Sequence, residues 1–341
     1  MMNKPEPSAM AREICESADV VARIVRDRAA IADIAGRLEA GTSPLVVMCG
    51  RGSSGHVGVF LRYLIETRLH LPVSASAPSV ITAFRKPLAL RNALFIVISQ
   101  SGRSPDLVAA TQSARQAGAR TVAIVNAVPS PVAEAAEFVL PISAGLEHSV
   151  AATKTVIGSM TAGAALVAEL ADDAALRAAL DRLPERVDRA LSFDWSAIGR
   201  DLAGASAVFV ASRGLGLGSA REIALKLAEI LRLPALGFSA AELQHGPRAA
   251  LSSRTPVIML RLMDETAATV DALASELHES GIAVHLCGGP HGRLPWLADD
   301  HPAIDAIAML IPAYRVIEQT ARAWGFDPDR PPWLSKVTET Y

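Results

Sequence analysis

Continuous apolar runs, each ending in a polar turn, recur along this chain. Three of them lie at residues 45–48, 93–98 and 121–125, and each is followed by a stretch with helical character. A run without polar alternation is typical of a strand that is buried on both faces of a parallel sheet. The alternation of such runs with helical stretches therefore predicts β–α–β units on a parallel sheet.

The same pattern is present twice. Apolar runs at 207–210, 257–260 and 283–286 repeat the first three at a nearly constant offset of about 162 residues, which indicates an internal duplication. We therefore predict an α/β fold of two similar, doubly wound lobes, each a flavodoxin-like parallel sheet between two layers of helices.

This pattern divides the chain into four segments. Residues 1–40 have a helical period and predict one or two helices packed on the sheet. Residues 41–185 form the first lobe and residues 186–325 the second, with a linker expected around Pro184, at 183–195. Residues 326–341 form a tail whose prolines prevent it from beginning as a helix.

Composition restricts the partners and the compartment. The net charge is −2 and charges of both signs are interspersed, which favours neither nucleic acid nor a membrane surface as a partner. Cys15, Cys49 and Cys287 are too far apart for a disulfide framework or a Cys-x-x-Cys metal site. The N-terminus lacks the apolar core of a signal peptide. We therefore expect a cytoplasmic protein that uses no metal or other cofactor.

The turn after the second apolar run has the composition of a phosphate site. Ser99, Gln100, Ser101 and Gly102 follow the run directly, and Ser104 comes just before a helical stretch. Open α/β sheets bind ligands at the carboxyl ends of their strands. Hydroxyl groups and the unpaired N–H groups of a first helical turn suit an anion. Taken alone, this turn is equally typical of a serine-rich helix cap.

The equivalent turn of the second lobe has a different character. It contains Arg261 and then the adjacent carboxylates of Asp264 and Glu265. Two neighbouring carboxylates repel a phosphate. We therefore expect the anion site in the first lobe only.

Residues 50–55 read Gly-Arg-Gly-Ser-Ser-Gly and match the G-x-G-x-x-G fingerprint of dinucleotide-binding proteins. That fingerprint requires an acidic residue at the end of the next strand to hold the ribose, and residues 72–77 contain none. We therefore expect no nicotinamide cofactor. Ser53 and Ser54 are better interpreted as further hydroxyl donors to the anion at the Ser99 turn.

A lysine and a glutamate share one face of the helix predicted at 220–231. Lys226 and Glu229 are three residues apart, and the leucines around them indicate a largely buried helix. The simplest interpretation is a structural ion pair. A buried ammonium group would also keep Glu229 ionised and able to accept a proton, which makes Glu229 a candidate general base.

Two histidines lie beside polar motifs. His245 is in the sequence Gln-His-Gly-Pro at 244–247, and neither it nor its neighbours have the spacing of a zinc site. His148 comes shortly before a predicted helix start, and we expect its role to be structural.

Together these motifs resemble the sugar isomerase (SIS) superfamily, and within it the two-lobed isomerase part of glucosamine-6-phosphate synthase. The resemblance extends over nearly the whole chain. It is carried by the Ser-Gln-Ser-Gly turn, the helix at 222–229, the loop at 242–247 and the Leu-Ser-Lys-Val-Thr sequence at 334–338.

The resemblance implies which residues bind the substrate. Val150 and Ser335 would contact the open-chain sugar. The residues implied in holding its phosphate are Ser53, Ser54, Ser99, Gln100, Ser101 and Ser104.

The resemblance also implies catalytic roles. Glu229 would move a proton between C1 and C2 of the sugar, with Lys226 beside it. Lys336 would meet the carbonyl group as the tail closes. His245 would assist ring opening in the site of the neighbouring subunit, which implies a homodimer.

The expected reaction follows from one departure from the synthase. That enzyme carries a glutaminase domain with a cysteine nucleophile directly after the initiator methionine, whereas this chain begins Met1-Met2-Asn3 and Cys15 is internal. We therefore expect the reaction to release ammonia, as in a glucosamine-6-phosphate deaminase of SIS type.

Three alternatives stay open. One is a ketose–aldose phosphosugar isomerase without deamination, and another is a deaminase acting on galactosamine 6-phosphate or a fructosamine phosphate. The non-enzymatic alternative is a sensor that binds a phosphosugar without converting it. A sensor joined to a DNA-binding domain needs a basic helix-turn-helix, which residues 1–40 do not supply.

Overall fold

The computed structural model describes residues 6–38 and 43–336. Three helices precede the first sheet, where the sequence predicted one or two: α1 (Ala9–Cys15), α2 (Ser17–Arg26) and α3 (Arg28–Leu38). The chain turns at Glu16 and Asp27 because the apolar faces pack on different partners: α1 lies against the last long helix of the chain, whereas α2 lies against two of the helices that join the lobes. The segment is thus helical, as predicted, but the predicted number of helices is wrong.

The first sheet has five parallel strands in the order β2-β1-β3-β4-β5. They are β1 (Val46–Cys49), β2 (Val73–Ala75), β3 (Leu94–Ser99), β4 (Arg120–Val125) and β5 (Phe138–Pro141). The helices between them are α4 (Gly52–Arg68), α5 (Pro78–Thr82), α6 (Pro105–Gln116) and α7 (Pro131–Ala135). All residues of β1 and β3 are buried, as their apolar sequences predict.

The second sheet has four parallel strands in the order β7-β6-β8-β9. They are β6 (Val208–Ser212), β7 (Ala235–Ser239), β8 (Val257–Leu260) and β9 (Val284–Cys287). The helices among them are α11 (Gly216–Leu231), α12 (Ala240–Gln244) and α13 (Ala267–Glu279), with a short 3-10 helix at Pro247–Ala250. This order repeats that of the first four strands, so the predicted fold of two similar doubly wound lobes is confirmed.

The predicted linker around Pro184 is wrong. The lobes are joined by α8 (Lys154–Leu170), α9 (Ala174–Ala190) and α10 (Ser196–Leu202), and α9 continues through Pro184 to Ala190. A proline inside a helix costs about 3 kcal/mol because it removes a backbone hydrogen bond. The burial of Leu176, Leu180, Leu183 and Val187 along the apolar face of α9 offsets this cost. The chain then ends in α14 (Pro302–Ala308) and α15 (Leu310–Ala323), followed by the tail.

The lobes meet where α4 of the first lobe packs against α11 of the second. A Cβ atom at Gly218 of α11 would lie 2.7 Å from the carbonyl oxygen of His56 and 2.8 Å from Cβ of Phe60, so only glycine permits this close crossing. The crossing brings the first turn of α4, after β1, beside the middle of α11. Of the helices that the structure describes, none has the length and apolar character needed to cross a membrane.

Candidate active site

The turn between β3 and α6 is closed by its own serines. The Oγ atom of Ser99 accepts a hydrogen bond from the N–H of Gly102 (3.1 Å), and that of Ser101 accepts one from the N–H of Arg103 (3.3 Å). Gly102 has φ +64°, and a Cβ atom there would lie 2.1 Å from Oγ of Ser130. The turn therefore requires glycine at this position.

The predicted phosphate residues occupy this turn and the start of α6. Ser99 is buried, whereas Gln100, Ser101 and Ser104 are partly exposed. Ser104 is the residue before α6, and its hydroxyl does not cap the helix. The first-turn N–H groups of α6 thus donate no hydrogen bond to this hydroxyl, and the turn presents hydroxyl, amide and backbone donors together.

The turn after β1 lies beside the turn after β3. The strands pair in parallel with Cys49 opposite Val97, which brings the start of α4 to the same edge of the sheet as Ser99. An ion pair joins the two turns, with Nη2 of Arg51 2.6 Å from Oδ2 of the fully buried Asp106. Ser54, at the start of α4, is partly buried at this edge.

Ser53 contacts the second lobe instead of the Ser99 turn. Its Oγ atom donates to Oε1 of Glu222 at 3.1 Å and accepts from Nζ of Lys226 at 3.0 Å. The hydroxyl of Ser53 is therefore engaged by residues of the helix that carries the candidate base. Ser53 connects α4, which begins beside the Ser99 turn, to α11, which carries Glu229.

Lys226 lies at the centre of a buried polar network. Its side chain is fully buried, and Nζ contacts Oε2 of Glu229 at 2.6 Å and Oε1 of Glu222 at 3.2 Å. Burial alone would lower the pKa of Lys226, but the charges of Glu222 and Glu229 raise it, and the net direction is upward. Lys226 is therefore a cation at neutral pH, and its ammonium group is the partner of the partly exposed Glu229 carboxylate.

Three residues of this network had no assigned role in the sequence interpretation. Glu222 is fully buried and accepts hydrogen bonds from the phenol of Tyr314 at 3.3 Å and, at its other oxygen, from Nδ1 of His56 at 3.0 Å. The four-residue spacing of Glu222 and Lys226 was a signal available in the sequence. The contributions of His56 and Tyr314 come from α4 and α15 and depend on the tertiary fold.

The C-terminal tail lies on the loop between β5 and α8. Nζ of Lys336 contacts Oε2 of the buried Glu147 at 3.0 Å and donates to the carbonyl oxygen of Ser149 at 2.5 Å. The N–H of Val150 donates to the carbonyl oxygen of Asp329 at 3.2 Å. Val150, a predicted sugar contact, and Lys336, a predicted catalytic residue, thus lie at the same loop, although the Val150 N–H is engaged by the tail itself.

The tail and this loop are also anchored to α1. The carboxylate of Asp329 accepts hydrogen bonds from the N–H groups of Ala9 and Met10 at 2.7 and 2.8 Å. Glu13 accepts from the N–H groups of His148 and Ser149. His148 is exposed, and it makes this contact through its backbone N–H.

Electrostatic effects link this tail-binding loop to the base. Burial raises the pKa of Tyr314 well above its usual value, and the negative charges of Glu222, Glu147 and Glu229 add to this effect. One phenol therefore lies within electrostatic range of both the Lys336–Glu147 pair and the Lys226–Glu229 pair. Ser335 is exposed next to Lys336.

His245 is not joined to these groups in the described single chain. It is exposed at the end of α12, and its backbone N–H donates to the carbonyl oxygen of Glu242 at 3.0 Å. Its role in a neighbouring subunit stays a prediction. Among residues 6–38 and 43–336, no group of histidine, cysteine and carboxylate side chains is arranged to hold a metal ion.

The equivalent edge of the second lobe contains a cavity of about 690 Å³. Its lining includes Glu242, Asp264 and Glu265 together with Arg213. The carboxylate of Asp264 accepts hydrogen bonds from the N–H and the hydroxyl of Thr266 at the start of α13. These carboxylates occupy the place that the serine turn has in the first lobe, so the difference in charge expected between the lobes is present in the structure.

Two tandem, doubly wound parallel-sheet lobes, with a serine-rich turn at the carboxyl edge of the first, define the structural class of this protein. The chain belongs to the SIS domain family, whose model matches residues 43–169 and 201–301.

Comparison with known proteins agrees with this membership. The chain is 32% identical over 311 residues to the isomerizing glutamine–fructose-6-phosphate aminotransferase of Symbiobacterium thermophilum, a match that covers 85% of this chain and 51% of that protein. The chain thus spans about half the length of the curated relatives that it matches. A solved structure from Silicibacter pomeroyi DSS-3, provisionally named a phosphosugar isomerase, has a TM-score of 0.89 and 35% identity, covering 95% of this chain and 100% of that one. The glucosamine-6-phosphate deaminase structure of Thermotoga maritima (TM-score 0.79, 22% identity, 98% and 100% covered) shares the fold.

Proposed function

We propose that this chain is a phosphosugar isomerase that releases ammonia from an amino sugar phosphate. The reaction converts glucosamine 6-phosphate and water into fructose 6-phosphate and ammonia. The observation that carries the proposal is the 2.6 Å contact between the buried ammonium of Lys226 and Glu229, connected through Ser53 to the helix start beside the serine turn. A base and a site suited to phosphate are thus held on adjoining elements of two lobes.

The relatives support the choice of substrate. The aminotransferase that matches most of this chain is named for fructose 6-phosphate and for the transfer of an amino group. In such an amino-group transfer, a ketose phosphate and an amino sugar phosphate stand on opposite sides of the reaction. The phosphate would bind at Ser54, Ser99, Gln100, Ser101 and Ser104, and its binding energy would fix the position of the reacting carbons.

The proton transfer requires one base that acts on two neighbouring carbons. In the open-chain aldehyde form of the sugar, the Glu229 carboxylate would take the proton from C2, which gives an enolamine, and return it to C1. The product of this transfer is an imine at C2. Water then adds to C2, the carbon–nitrogen bond breaks, and ammonia leaves with the ketose phosphate as the second product.

The remaining residues would prepare and enclose the substrate. Val150 and Ser335 would contact the sugar, and Lys336 would lie near its carbonyl group on a tail that excludes water from the enolamine. His245 would assist ring opening from the second subunit of a homodimer. In this arrangement Ser53 is a partner of Lys226 and Glu222 more than of the phosphate.

The test is to incubate the purified protein with glucosamine 6-phosphate and to measure ammonia and fructose 6-phosphate together. We expect both products in equal amounts with the wild-type protein and neither with Glu229→Gln. Glu185→Gln, which changes an exposed glutamate on α9, is the matched control and should keep wild-type turnover.

Other results point to different functions. Turnover of glucose 6-phosphate and fructose 6-phosphate without any release of ammonia would identify a plain ketose–aldose isomerase. Ammonia release from galactosamine 6-phosphate or a fructosamine phosphate alone would change the substrate. Tight binding of phosphosugars with no turnover of any of them would contradict the enzyme and identify a sensor.

A further inference from the structure

Glu222 is a fully buried carboxylate with hydrogen-bond donors from both lobes. Its Oε1 atom lies 3.1 Å from Oγ of Ser53, 3.2 Å from Nζ of Lys226 and 3.3 Å from the phenol oxygen of Tyr314. Its Oε2 atom lies 3.0 Å from Nδ1 of His56. A buried carboxylate needs such donors because burial otherwise favours its neutral form.

The two carboxylate oxygens of Glu222 have different numbers of hydrogen-bond donors. Oε1 has three donors, whereas in the described part of the chain Oε2 receives its hydrogen bond from His56. His56 lies on α4 of the first lobe, three residues after Ser53, while Glu222 lies on α11 of the second. The His56 contact thus joins the lobes at the helix pair that carries the candidate base.

The position of Lys226 between two carboxylates is asymmetric. Nζ lies 2.6 Å from Glu229 but 3.2 Å from Glu222. A lysine shared by two carboxylates moves towards the one with fewer other hydrogen-bond donors. A carboxylate left without a partner costs more free energy than one that keeps other donors. The donors from His56, Ser53 and Tyr314 satisfy Glu222 and leave the ammonium group for Glu229.

Charge and burial agree with this arrangement. Burial alone would raise the pKa of Glu222, but the charge of Lys226 and the hydrogen bond from His56 lower it, and the net direction is downward. Glu222 is therefore an anion at neutral pH. The other titratable groups that face it are Lys226 on its own helix and Tyr314 on α15, whose phenol stays neutral because burial and the nearby carboxylates raise its pKa.

We propose that His56 is a positioning residue for the base Glu229. His56 donates a hydrogen bond to Glu222, so this carboxylate needs the ammonium group of Lys226 less. Lys226 therefore stays in contact with Glu229. This role rests on the proposed function of Glu229 as the proton-transferring group. His56 itself does not need to touch the substrate.

The proposal distinguishes two substitutions of the same residue. Alanine removes the donor to Oε2, so Lys226 should move towards Glu222 and leave Glu229 with a weaker partner. The Glu229 carboxylate then loses the contact that holds it in place, since the ammonium group is its hydrogen-bond partner. Asparagine has a side-chain N–H₂ close to the place of Nδ1 and should restore the contact.

The experiment measures kcat and KM against pH for the wild type, His56→Ala, His56→Asn and the exposed-site control His278→Ala. For His56→Ala we expect kcat at pH 7 to fall about tenfold, because the base is no longer held in position, with KM within twofold. His56→Asn and His278→Ala should retain the wild-type profile.

Two outcomes would overturn the proposal. One is a lower Tm of His56→Ala with an unchanged pH profile and kcat, which identifies a purely structural contact. The other is an equal loss of kcat in His56→Ala and His56→Asn with both proteins folded, because donation to Glu222 would then not be the property that matters.

A second readout separates this proposal from the function itself. If the wild type converts no sugar phosphate, the proposed function fails, and the role of His56 is tested by NMR with ¹³C-carboxyl-labelled glutamate. The Glu229 signal is assigned by its loss in Glu229→Gln. Its chemical shift at pH 7 should differ in His56→Ala from that in the wild type and His56→Asn, because the contact with Lys226 changes, and identical chemical shifts in all three contradict the positioning role.

Discussion

The ammonium group of Lys226 lies 2.6 Å from the carboxylate of Glu229, one helical turn further along α11. Lys226 is fully buried, whereas the side chain of Glu229 is 21% exposed. The lysine is therefore enclosed by protein, and the carboxylate is the member of the pair that can reach a ligand. This geometry supports the proposal that Glu229 transfers the proton and that Lys226 is its buried partner.

The first prediction separates catalysis from binding at this pair. Glu229→Gln keeps the size of the side chain and a hydrogen-bonding oxygen for Lys226 but removes the proton acceptor. We expect kcat to fall at least 100-fold, because a positioned base contributes on the order of 10²–10⁴ in rate. The Kd of the sugar phosphate, measured by calorimetry, should change less than threefold. An unchanged kcat would remove Glu229 from the mechanism.

The second prediction concerns the serine turn. Ser101→Ala removes a hydroxyl that would donate to the phosphate, and a hydrogen bond to a charged group contributes about 1.5–3 kcal/mol. We expect KM for the sugar phosphate to rise roughly 10- to 100-fold in steady-state assays, with a smaller effect on kcat. Ser253→Ala, at an exposed serine of the second lobe, is the control. Equal wild-type rates on phosphorylated and dephosphorylated sugar would show that the phosphate does not bind here.

The third prediction uses two glycines with similar backbones and different surroundings. Gly102 and Gly204 both have positive φ, at +64° and +84°, but a Cβ atom would meet Oγ of Ser130 at 2.1 Å in the first case and nothing within 4 Å in the second. Either alanine costs about 1–2 kcal/mol in backbone energy. Only Gly102→Ala should also displace the turn, so KM should rise in that variant alone. Equal KM values in both variants would show that the turn does not hold the substrate.

The periodicity of the sequence accounts for much of the fold and part of the site. Lys226 and Glu229 share a helix, so their contact follows from a three-residue spacing. The Ser99 turn follows an apolar strand, so its location at the edge of the sheet can also be predicted from neighbouring residues. The helix through Pro184 was missed because proline is a strong local signal, and the burial of the apolar face of α9 outweighs it only in the folded structure.

The parts of the site that escaped prediction depend on contacts between distant elements. Ser53 was assigned to the phosphate because it follows a glycine-rich turn, yet the crossing of α4 and α11 directs its hydroxyl to Glu222 and Lys226. The same crossing brings in His56. The pairing of Lys336 with Glu147 joins residues 189 positions apart, and no local pattern encodes such a contact.

The fourth prediction tests the tail. Lys336→Met retains the apolar stem of the side chain and removes the charge that pairs with Glu147 and donates to Ser149. We expect turnover to be lost, since both the group near the substrate carbonyl and the anchor of the tail are removed, while the Tm changes by a few degrees at most. Lys86→Met, at an exposed lysine, should behave as wild type. A fully active Lys336→Met protein would contradict the role of the tail.

The fifth prediction concerns stability in acid. The carboxylate of Asp300 receives two hydrogen bonds from Arg182 of α9, at 2.9 and 2.5 Å, and these lower the pKa of Asp300 to about 2. A carboxyl group whose pKa is lower in the folded state stabilises the fold above its unfolded pKa, and this contribution is lost as pH falls towards the folded value. Arg182 is half exposed, so screening limits the contribution to about 1 kcal/mol.

Asp300→Asn should therefore lower the free energy of unfolding at pH 7, measured by urea denaturation, by about 1 kcal/mol. The difference from wild type should shrink between pH 4 and pH 2, because the wild-type carboxylate becomes protonated over that interval and then resembles the variant. Asp188→Asn, at an exposed site on α9, should show no such convergence. A difference that stays constant down to pH 2 would mean that the ion pair with Arg182 contributes nothing and that asparagine acts only through packing.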